Sequence, residues 1–462
     1  MSEVRAPRLM IAATASGGGK TTITCGLLWA LRRRGLRLAS CKCGPDYLDP
    51  TFHEQVLGTP SRNLDLFLGS PQLACWQLAE GAHAADLTLI EGVMGYYDGI
   101  AASERASTFD VARATHTPVV LVVDGRGRAL SAAAEVAGFA SLRTPSMIAG
   151  VIVNRVSRGY APTMRAMIER ETGLPVLGCL PSMEDVGFEH RHLGLVDASL
   201  INDLQTRVAE VADQIEQSID LDALLALAQG APTLPRENPQ LPAPCTGNPV
   251  VAVARDEAFS FYYRDTLDTL ERLGARLVPF SPLRDQNLPV GCSGLYLGGG
   301  YPELHAQALS ANASLRKELR RVIAAGMPTI AECGGFMYLH ETLEDAQGST
   351  WPMVGAVPGR TFGRGGLVRF GYATLTAIRD SLLASTGERL RVHEFHYWDS
   401  THPGDAFHAS KEGSERSWDC VVATPTLHAG FPHLCLHAQP VAAKRFVDAC
   451  AAYAARQGSV VA

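Results

Sequence analysis

The sequence predicts an α/β protein of two doubly wound domains, each built on a mostly parallel sheet. Three observations carry that expectation. In both halves of the chain, short and nearly continuous apolar runs alternate with helical patterns, as strands covered on both faces require. A dense proline cluster separates the two series at Ala231-Pro232-Thr233-Leu234-Pro235, Asn238-Pro239 and Pro242-Ala243-Pro244, and such a stretch continues neither a helix nor a central strand. The chain's 462 residues also exceed what one hydrophobic core usually serves. The expected division is a first domain over 1–195, a helical and Pro-rich connector over 196–248, and a second domain over 249–462.

Taken in order, Arg8-Leu9-Met10-Ile11-Ala12-Ala13 reads as a strand entering a Gly-rich loop. Thr21 to Arg34 reads as the helix that follows, stopped by Gly35. Further buried strands are expected at Leu36–Ala39, Leu87–Ile90, Pro118–Val123, Met147–Asn154 and Val176–Leu180. From Leu200 to Leu227 the pattern is helical and polar. The second series starts at Val250-Val251-Ala252-Val253-Ala254 and continues through Arg276–Pro279, Gly294–Leu297, Pro328–Ala331 and Leu434–Leu436.

Composition narrows the function classes. A 46% hydrophobic, 19% charged chain with net charge −6 is globular and offers nucleic acid no basic surface. The start Met1-Ser2-Glu3-Val4-Arg5 lacks a basic n-region followed by an apolar h-region, and no apolar run reaches membrane-spanning length. No membrane association and a cytoplasmic location are therefore expected. The eleven cysteines are scattered, which suits buried thiols better than a disulfide framework. Cys41-Lys42-Cys43 lacks the second Cys/His pair that zinc spacing needs.

The Gly-rich loop is Ser16-Gly17-Gly18-Gly19-Lys20-Thr21-Thr22. A loop between strand and helix aims backbone N–H groups at phosphate oxygens, and the helix N-terminus adds partial positive charge. Gly17, Gly18 and Gly19 permit the close approach, Lys20 reaches the β- and γ-phosphates, and Thr21 is a magnesium ligand, with Thr22 completing the loop. Thr14 stands where the commonest pattern has its first glycine. ATP and Mg²⁺ are thus the expected cofactors.

Such a site needs carboxylates at other strand ends. Asp46 and Asp49, in Gly44-Pro45-Asp46-Tyr47-Leu48-Asp49-Pro50, follow the second strand, and Glu91 follows Leu87–Ile90 in Glu91-Gly92-Val93-Met94-Gly95-Tyr96-Tyr97-Asp98-Gly99. Asp46 and Glu91 are candidate metal ligands. Asp46, Tyr47, Leu48, Asp49, Tyr97 and Asp98 are candidates for substrate binding or phosphoryl transfer. Asn154, before Arg155 at a later strand end, is a candidate contact to the adenine of ATP.

In the second domain Cys333 lies in Ala331-Glu332-Cys333-Gly334-Gly335, between a strand and the helical run Phe336 to Glu341. A thiol on such a turn is exposed, and the helix N-terminus favours its thiolate. Gly334 leaves an N–H for an oxyanion, and Gly299 and Gly300 in Gly298-Gly299-Gly300-Tyr301-Pro302-Glu303 complete the hole. A base is supplied by Pro432-His433-Leu434-Cys435-Leu436-His437. Strand alternation would put His433, Cys435 and His437 on one face, which leaves both histidines open.

These blocks, with Lys42 to Pro50 and His393-Glu394-Phe395-His396-Tyr397, resemble those of the cobyrinic acid a,c-diamide synthases over almost the whole chain. The resemblance implies a P-loop NTPase-like, dethiobiotin synthetase-like ATPase followed by a class I glutamine amidotransferase-like domain. It implies phosphorylation of the a and c acetate carboxylates of a corrinoid, and displacement of each phosphate by ammonia from glutamine. It points to Cys333 as nucleophile and His433 as its base, with Cys435 where other class I amidotransferases carry an acid. Corrinoid or a related tetrapyrrole, and glutamine, are the expected partners, with a homo-oligomer left open. The same reaction on hydrogenobyrinic acid or nickel-sirohydrochlorin, and a P-loop switch without ligase chemistry, are the alternatives. His393 to Tyr397 would be an interface strand or line a corrinoid-facing surface.

Overall fold

The computed structural model describes residues 3–183, 198–237 and 240–461. Among these the chain forms two compact units that meet in sequence between Pro239 and Gln240. The expected boundary at residue 195 and the Asn238-Pro239 pair lie outside the described residues.

The first unit is built on a seven-stranded sheet in the order Ser61–Leu64, Leu38–Cys43, Leu87–Glu91, Arg8–Ala13, Val119–Asp124, Ile148–Asn154, Val176–Cys179, parallel throughout. All six residues of the central strand Arg8–Ala13 are buried, which is why it reads as an unbroken apolar run. The chain winds outward on one side of that strand and then crosses to the other. The carboxyl ends of five adjacent strands therefore surround the Gly-rich loop.

Several expectations are adjusted. The second strand starts later and runs on through Cys43, so Cys41 and Lys42 belong to the sheet. Glu91 is the last residue of its strand, not the first beyond it. Ser61–Leu64 was not expected: four residues of mixed polarity at a sheet edge carry little periodic signal. The helices Ala198–Ser218 and Leu221–Gln229, expected in a connector, pack on the first unit. The longer one lies along the Lys20–Arg33 helix, where Gly26 gives room to Val211 and Ile215. Beyond them Leu234–Pro235 pairs antiparallel with Glu3–Val4.

Arg8 ties this closure together. Its side chain is fully buried, and its guanidinium donates to the carbonyls of Ala6 and Pro232, both at 2.9 Å, to those of Thr115 at 2.7 Å and His116 at 3.2 Å, and to Thr117 Oγ1 at 3.1 Å. Burial lowers its pKa to about 10, still well above neutrality, and its removal would leave buried carbonyls such as that of Ala6 short of a donor. Arg8→Met is expected to cost about 3 kcal/mol of stability, read from the denaturant midpoint. A loss below about 1 kcal/mol would show that water replaces the guanidinium.

The second unit has a six-stranded core sheet in the order Arg276–Phe280, Val250–Ala254, Cys292–Leu297, Thr329–Glu332, Leu427–Gly430, Val422–Ala423, parallel except for the last pair. Two further sheets were not anticipated. One is antiparallel and five-stranded, with Arg369–Ala377 paired to Arg389–His396; the other is four-stranded and includes Arg360–Gly363 and Trp398–Ser400. The late strand is also shorter than expected. Only His433–Leu434 pairs, antiparallel to Val392–His393, and Leu436–Ala438 is a 3₁₀ turn. The idea that His433, Cys435 and His437 alternate along one strand face is therefore corrected. No helix among the described residues is long and apolar enough to cross a membrane.

Candidate active site

In the first unit the Gly-rich loop sits at the carboxyl end of Arg8–Ala13 and opens the helix Lys20–Arg33. Gly19 caps that helix with φ 95°, and a Cβ there would lie 2.3 Å from Asn154 Nδ2, so conformation and space both require glycine. Asn154 Nδ2 donates to Gly18 O at 3.1 Å, and its Oδ1 accepts the Arg155 N–H at 3.0 Å. The guanidinium of Arg155 bridges Gly17 O at 3.0 Å and Asp124 at 2.9 Å. Asn154, the expected adenine contact, thus stands at the phosphate loop, with Nδ2 on Gly18 and Oδ1 on the backbone of its own neighbour.

Lys20 Nζ donates to the carbonyls of Ala15 and Met94. Burial and then the nearby Lys42 lower its pKa to about 8, against the pull of Glu91, Asp49 and Asp98. Thr21 Oγ1 donates to Glu91 Oε1 at 2.6 Å, while Thr22 is half-buried beside it. The same Glu91 oxygen accepts from Lys42 Nζ at 2.7 Å, and Lys42 also meets Asp49 at 2.6 Å. His53 Nε2 faces Glu91 Oε2 at 3.6 Å. Glu91 is fully buried; that opposes its charge, but Lys42 and His53 hold its pKa well below the usual carboxylate range. Burial also opposes the charge of Lys42, yet Glu91 and Asp49 raise its pKa.

The other candidates divide. Asp49 joins the buried cluster. Asp46 stands one residue before Tyr47, the N-cap of the helix Leu48–Gln55, and its Oδ1 accepts the N–H groups of Leu48 at 2.8 Å and Asp49 at 3.3 Å, so Tyr47 and Leu48 form the helix entry. Asp98 closes a turn through Gly95 N at 3.0 Å. Tyr97 donates to Phe139 O at 2.7 Å and stacks on the Phe139 ring. Lys42 and His53 were missed. Their signal lay in the Lys42-Cys43-Gly44 block, but pairing with Glu91 depends on adjacent strands that sequence spacing does not reveal.

In the second unit three neighbouring strands deliver the second cluster. Cys292–Leu297 leads into Gly298–Gly300, Thr329–Glu332 into Cys333, and Leu427–Gly430 toward His433. Cys333 has φ 46° and ψ −103° at the mouth of the helix Gly334–Leu339. A non-glycine residue held there is strained, and the kink turns its side chain off the sheet edge. Its N–H is held by Gly430 O at 2.8 Å. A Cβ on Gly335 would lie 2.1 Å from Leu297 O, so the turn fits only without side chains. Gly334, as the first helical residue, directs its N–H out of the helix, and a Cβ on it would lie 3.0 Å from Gly300 N. Gly299 backs onto His433, where a Cβ would sit 2.6 Å from the ring's Cε1.

His433 is buried and interacts with the Cys333 side chain. Burial opposes protonation, but Cys333 first and Glu332 second raise its pKa to about 10. Its Nδ1 lies 3.8 Å from Glu332 Oε2. His437 instead meets Cys435 Sγ at 3.4 Å. Of the two histidines left open by spacing, His433 is the one placed at Cys333. Across from it stands His393, buried, its pKa lowered to about 3 by burial and by His433. Phe395 and Tyr397 turn outward with Phe370 in an exposed aromatic group. A strained thiol paired with a histidine suits acyl transfer.

Fold and site together define an enzyme that joins a nucleotide-binding domain to a glutamine amidotransferase domain. Residues 9–193 match the CobQ/CobB/MinD/ParA nucleotide binding domain, and residues 250–441 the CobB/CobQ-like glutamine amidotransferase domain. A cobyrinate a,c-diamide synthase of Caldanaerobacter subterraneus subsp. tengcongensis is 38% identical over 96% of this chain and 98% of its own. That of Salmonella typhimurium is 44% identical over 84% and 85%. The chain belongs to the cobyrinate a,c-diamide synthase family.

Proposed function

We propose that this protein catalyses ATP-dependent, glutamine-hydrolysing amidation of the a and c acetate carboxylates of cobyrinic acid, through phosphorylated carboxylates, in the cytoplasm. The observation that supports it best is that one chain carries both a phosphate loop backed by Thr21 and Glu91 and a strained Cys333 paired with His433. Its relatives by name act on cobyrinate, and they match it over nearly its full length.

A carboxylate resists ammonia because oxide is a poor leaving group. Transfer of the γ-phosphoryl of ATP to one carboxylate oxygen makes that oxygen leave as phosphate when neutral ammonia attacks the carbon. Gly17, Gly18 and Gly19 give the triphosphate a backbone cradle, and Lys20 offsets charge on the transferring group. The residues present also fit a magnesium ion: Thr21 and Glu91 offer hard oxygen donors 2.6 Å apart, and Glu91 is ionised. When bound, the ion supplies further neutralisation of phosphate charge. Lys42 and Asp49 set the charge around Glu91, while Asp46, Tyr47 and Leu48 shape the helix mouth where the substrate carboxylate enters.

In the second unit the Cys333 thiolate attacks the side-chain amide carbon of glutamine. The N–H groups of Gly334, Gly300 and Gly299 receive the developing oxyanion, and His433 protonates the departing ammonia. Water activated by His433 then hydrolyses the thioester to glutamate.

The decisive assay incubates the protein with ATP, Mg²⁺ and glutamine plus cobyrinic acid, hydrogenobyrinic acid or nickel-sirohydrochlorin in separate reactions, scored by mass. Two successive amidations of cobyrinic acid are expected. Amidation of another tetrapyrrole in its place would redirect the substrate assignment, and ATP turnover without any amidation would overturn the ligase reading.

A further inference from the structure

We propose that Glu332, the residue immediately before the nucleophile, is the positioning carboxylate of His433. The inference rests on the assignment of Cys333 and His433 as the glutaminase pair and adds to them a third member that precedes the cysteine in sequence.

The placement follows from the strand. Along Thr329–Glu332 side chains alternate between the two faces of the core sheet, Ile330 joining the core that holds Tyr296 and Leu434, and Ala331 the core that holds Cys333. Glu332 falls on the Ile330 side, and the positive φ of Cys333 then swings the thiol over the sheet edge. Two adjacent residues thereby reach one imidazole from different sides. Glu332 Oε2 stands 3.8 Å from Nδ1, an ion-pair separation that closes when the imidazolium forms its working hydrogen bond.

The carboxylate is itself held by the strand it serves. Its Oε1 accepts the N–H of Leu434 at 3.1 Å and the hydroxyl of Tyr296 at 3.3 Å, so His433 and its neighbour are fixed to Glu332 through backbone as well as ring. Glu332 is 1% exposed. Burial raises its pKa, opposed by His433, the Leu434 N–H and Tyr296, and an ionised carboxylate there requires the imidazolium opposite it. Where an acid two residues after the histidine would otherwise sit, Cys435 instead contacts His437.

The groups facing His433 are Cys333 and Glu332 from the core sheet and His393, Glu394 and His396 from the strand across from it. His393 and His396 have pKa values lowered to about 3 and about 4 by burial, so they stay neutral near pH 7, and Glu394 is pushed up to about 7 and leans on Arg369. Glu332 is therefore the carboxylate aimed at Nδ1.

Glu332→Gln keeps the size and the acceptor for Leu434 and Tyr296 but removes the charge. Its glutaminase kcat is expected to fall at least about tenfold with little change in the KM for glutamine, while ammonia-dependent amidation and Tm stay near those of the unaltered protein. The rate of Cys333 alkylation by iodoacetamide adds a readout that packing alone does not move. Without the negative charge the imidazolium loses its proton at lower pH, so the upper edge of the ion pair's pH window moves down. Glu332→Asp, which restores the charge on a shorter arm, should recover part of the window. An unchanged window in Glu332→Gln would overturn the proposal, and so would a fall in Tm and in ammonia-dependent amidation matching the loss of glutaminase. Cys333→Ala measured alongside separates the two readings: if it kept glutaminase activity, the Cys333–His433 assignment itself would fail.

Discussion

Cys333→Ala is expected to lose glutamine hydrolysis by at least about 10⁴-fold, the scale on which deleting a nucleophile acts in covalent catalysis. Alanine differs from cysteine there by one sulfur and accepts φ 46° no worse, so the turn, the Gly430 hydrogen bond and the oxyanion donors should persist. Amidation from added ammonia should therefore continue at a comparable rate, because the phosphate loop belongs to a different compact unit. Assays with each nitrogen source on one preparation check this. Loss of both activities in a folded protein would sink the idea of separable centres.

Lys20→Met should do the reverse. Lys20 is the loop's own cation, and its ammonium, pointed at the carbonyls of Ala15 and Met94 in the absence of nucleotide, is free to turn to phosphate oxygens. Methionine matches its length without its charge. Removing a buried cation whose pKa is already lowered to about 8 also relieves a desolvation cost, so folding should be little affected. Amidation should drop by about 10³-fold with glutamine and with ammonia alike, since both need the phosphorylated carboxylate. Glutaminase activity measured without ATP should remain. Ammonia-dependent amidation near the original rate would remove Lys20 from phosphoryl transfer.

The legible parts of this chain were those whose chemistry is contiguous. Ser16 to Thr22 sits between a strand and a helix in sequence as it does in space, and Cys333 likewise lies on a strand-to-helix turn. What escaped was decided across strands. The hydrogen bond from Asn154 to Gly18 is one that sequence spacing says nothing of, and Lys42 gained meaning only when Leu38–Cys43 proved adjacent to Leu87–Glu91. Glu332 was in view as a neighbour of Cys333, but its partner is about a hundred positions away. The two extra sheets, which begin at Thr342, were hidden for a different reason. Their strands are short or half-exposed, with arginines on Arg389–His396, and give no continuous apolar run.

The pairing of Glu3–Val4 with Leu234–Pro235 brings the start of the first unit's chain beside its end. The Pro-rich segment joins the first unit at this short ladder and at the Arg8 contact to Pro232, beside the amino end of Arg8–Ala13. The phosphate loop hangs from the opposite end of that strand, whose neighbours on both sides are hydrogen-bonded along it. The ladder and the Arg8 contact therefore pin the two ends of the first unit's chain together at the end of the central strand farthest from the phosphate loop.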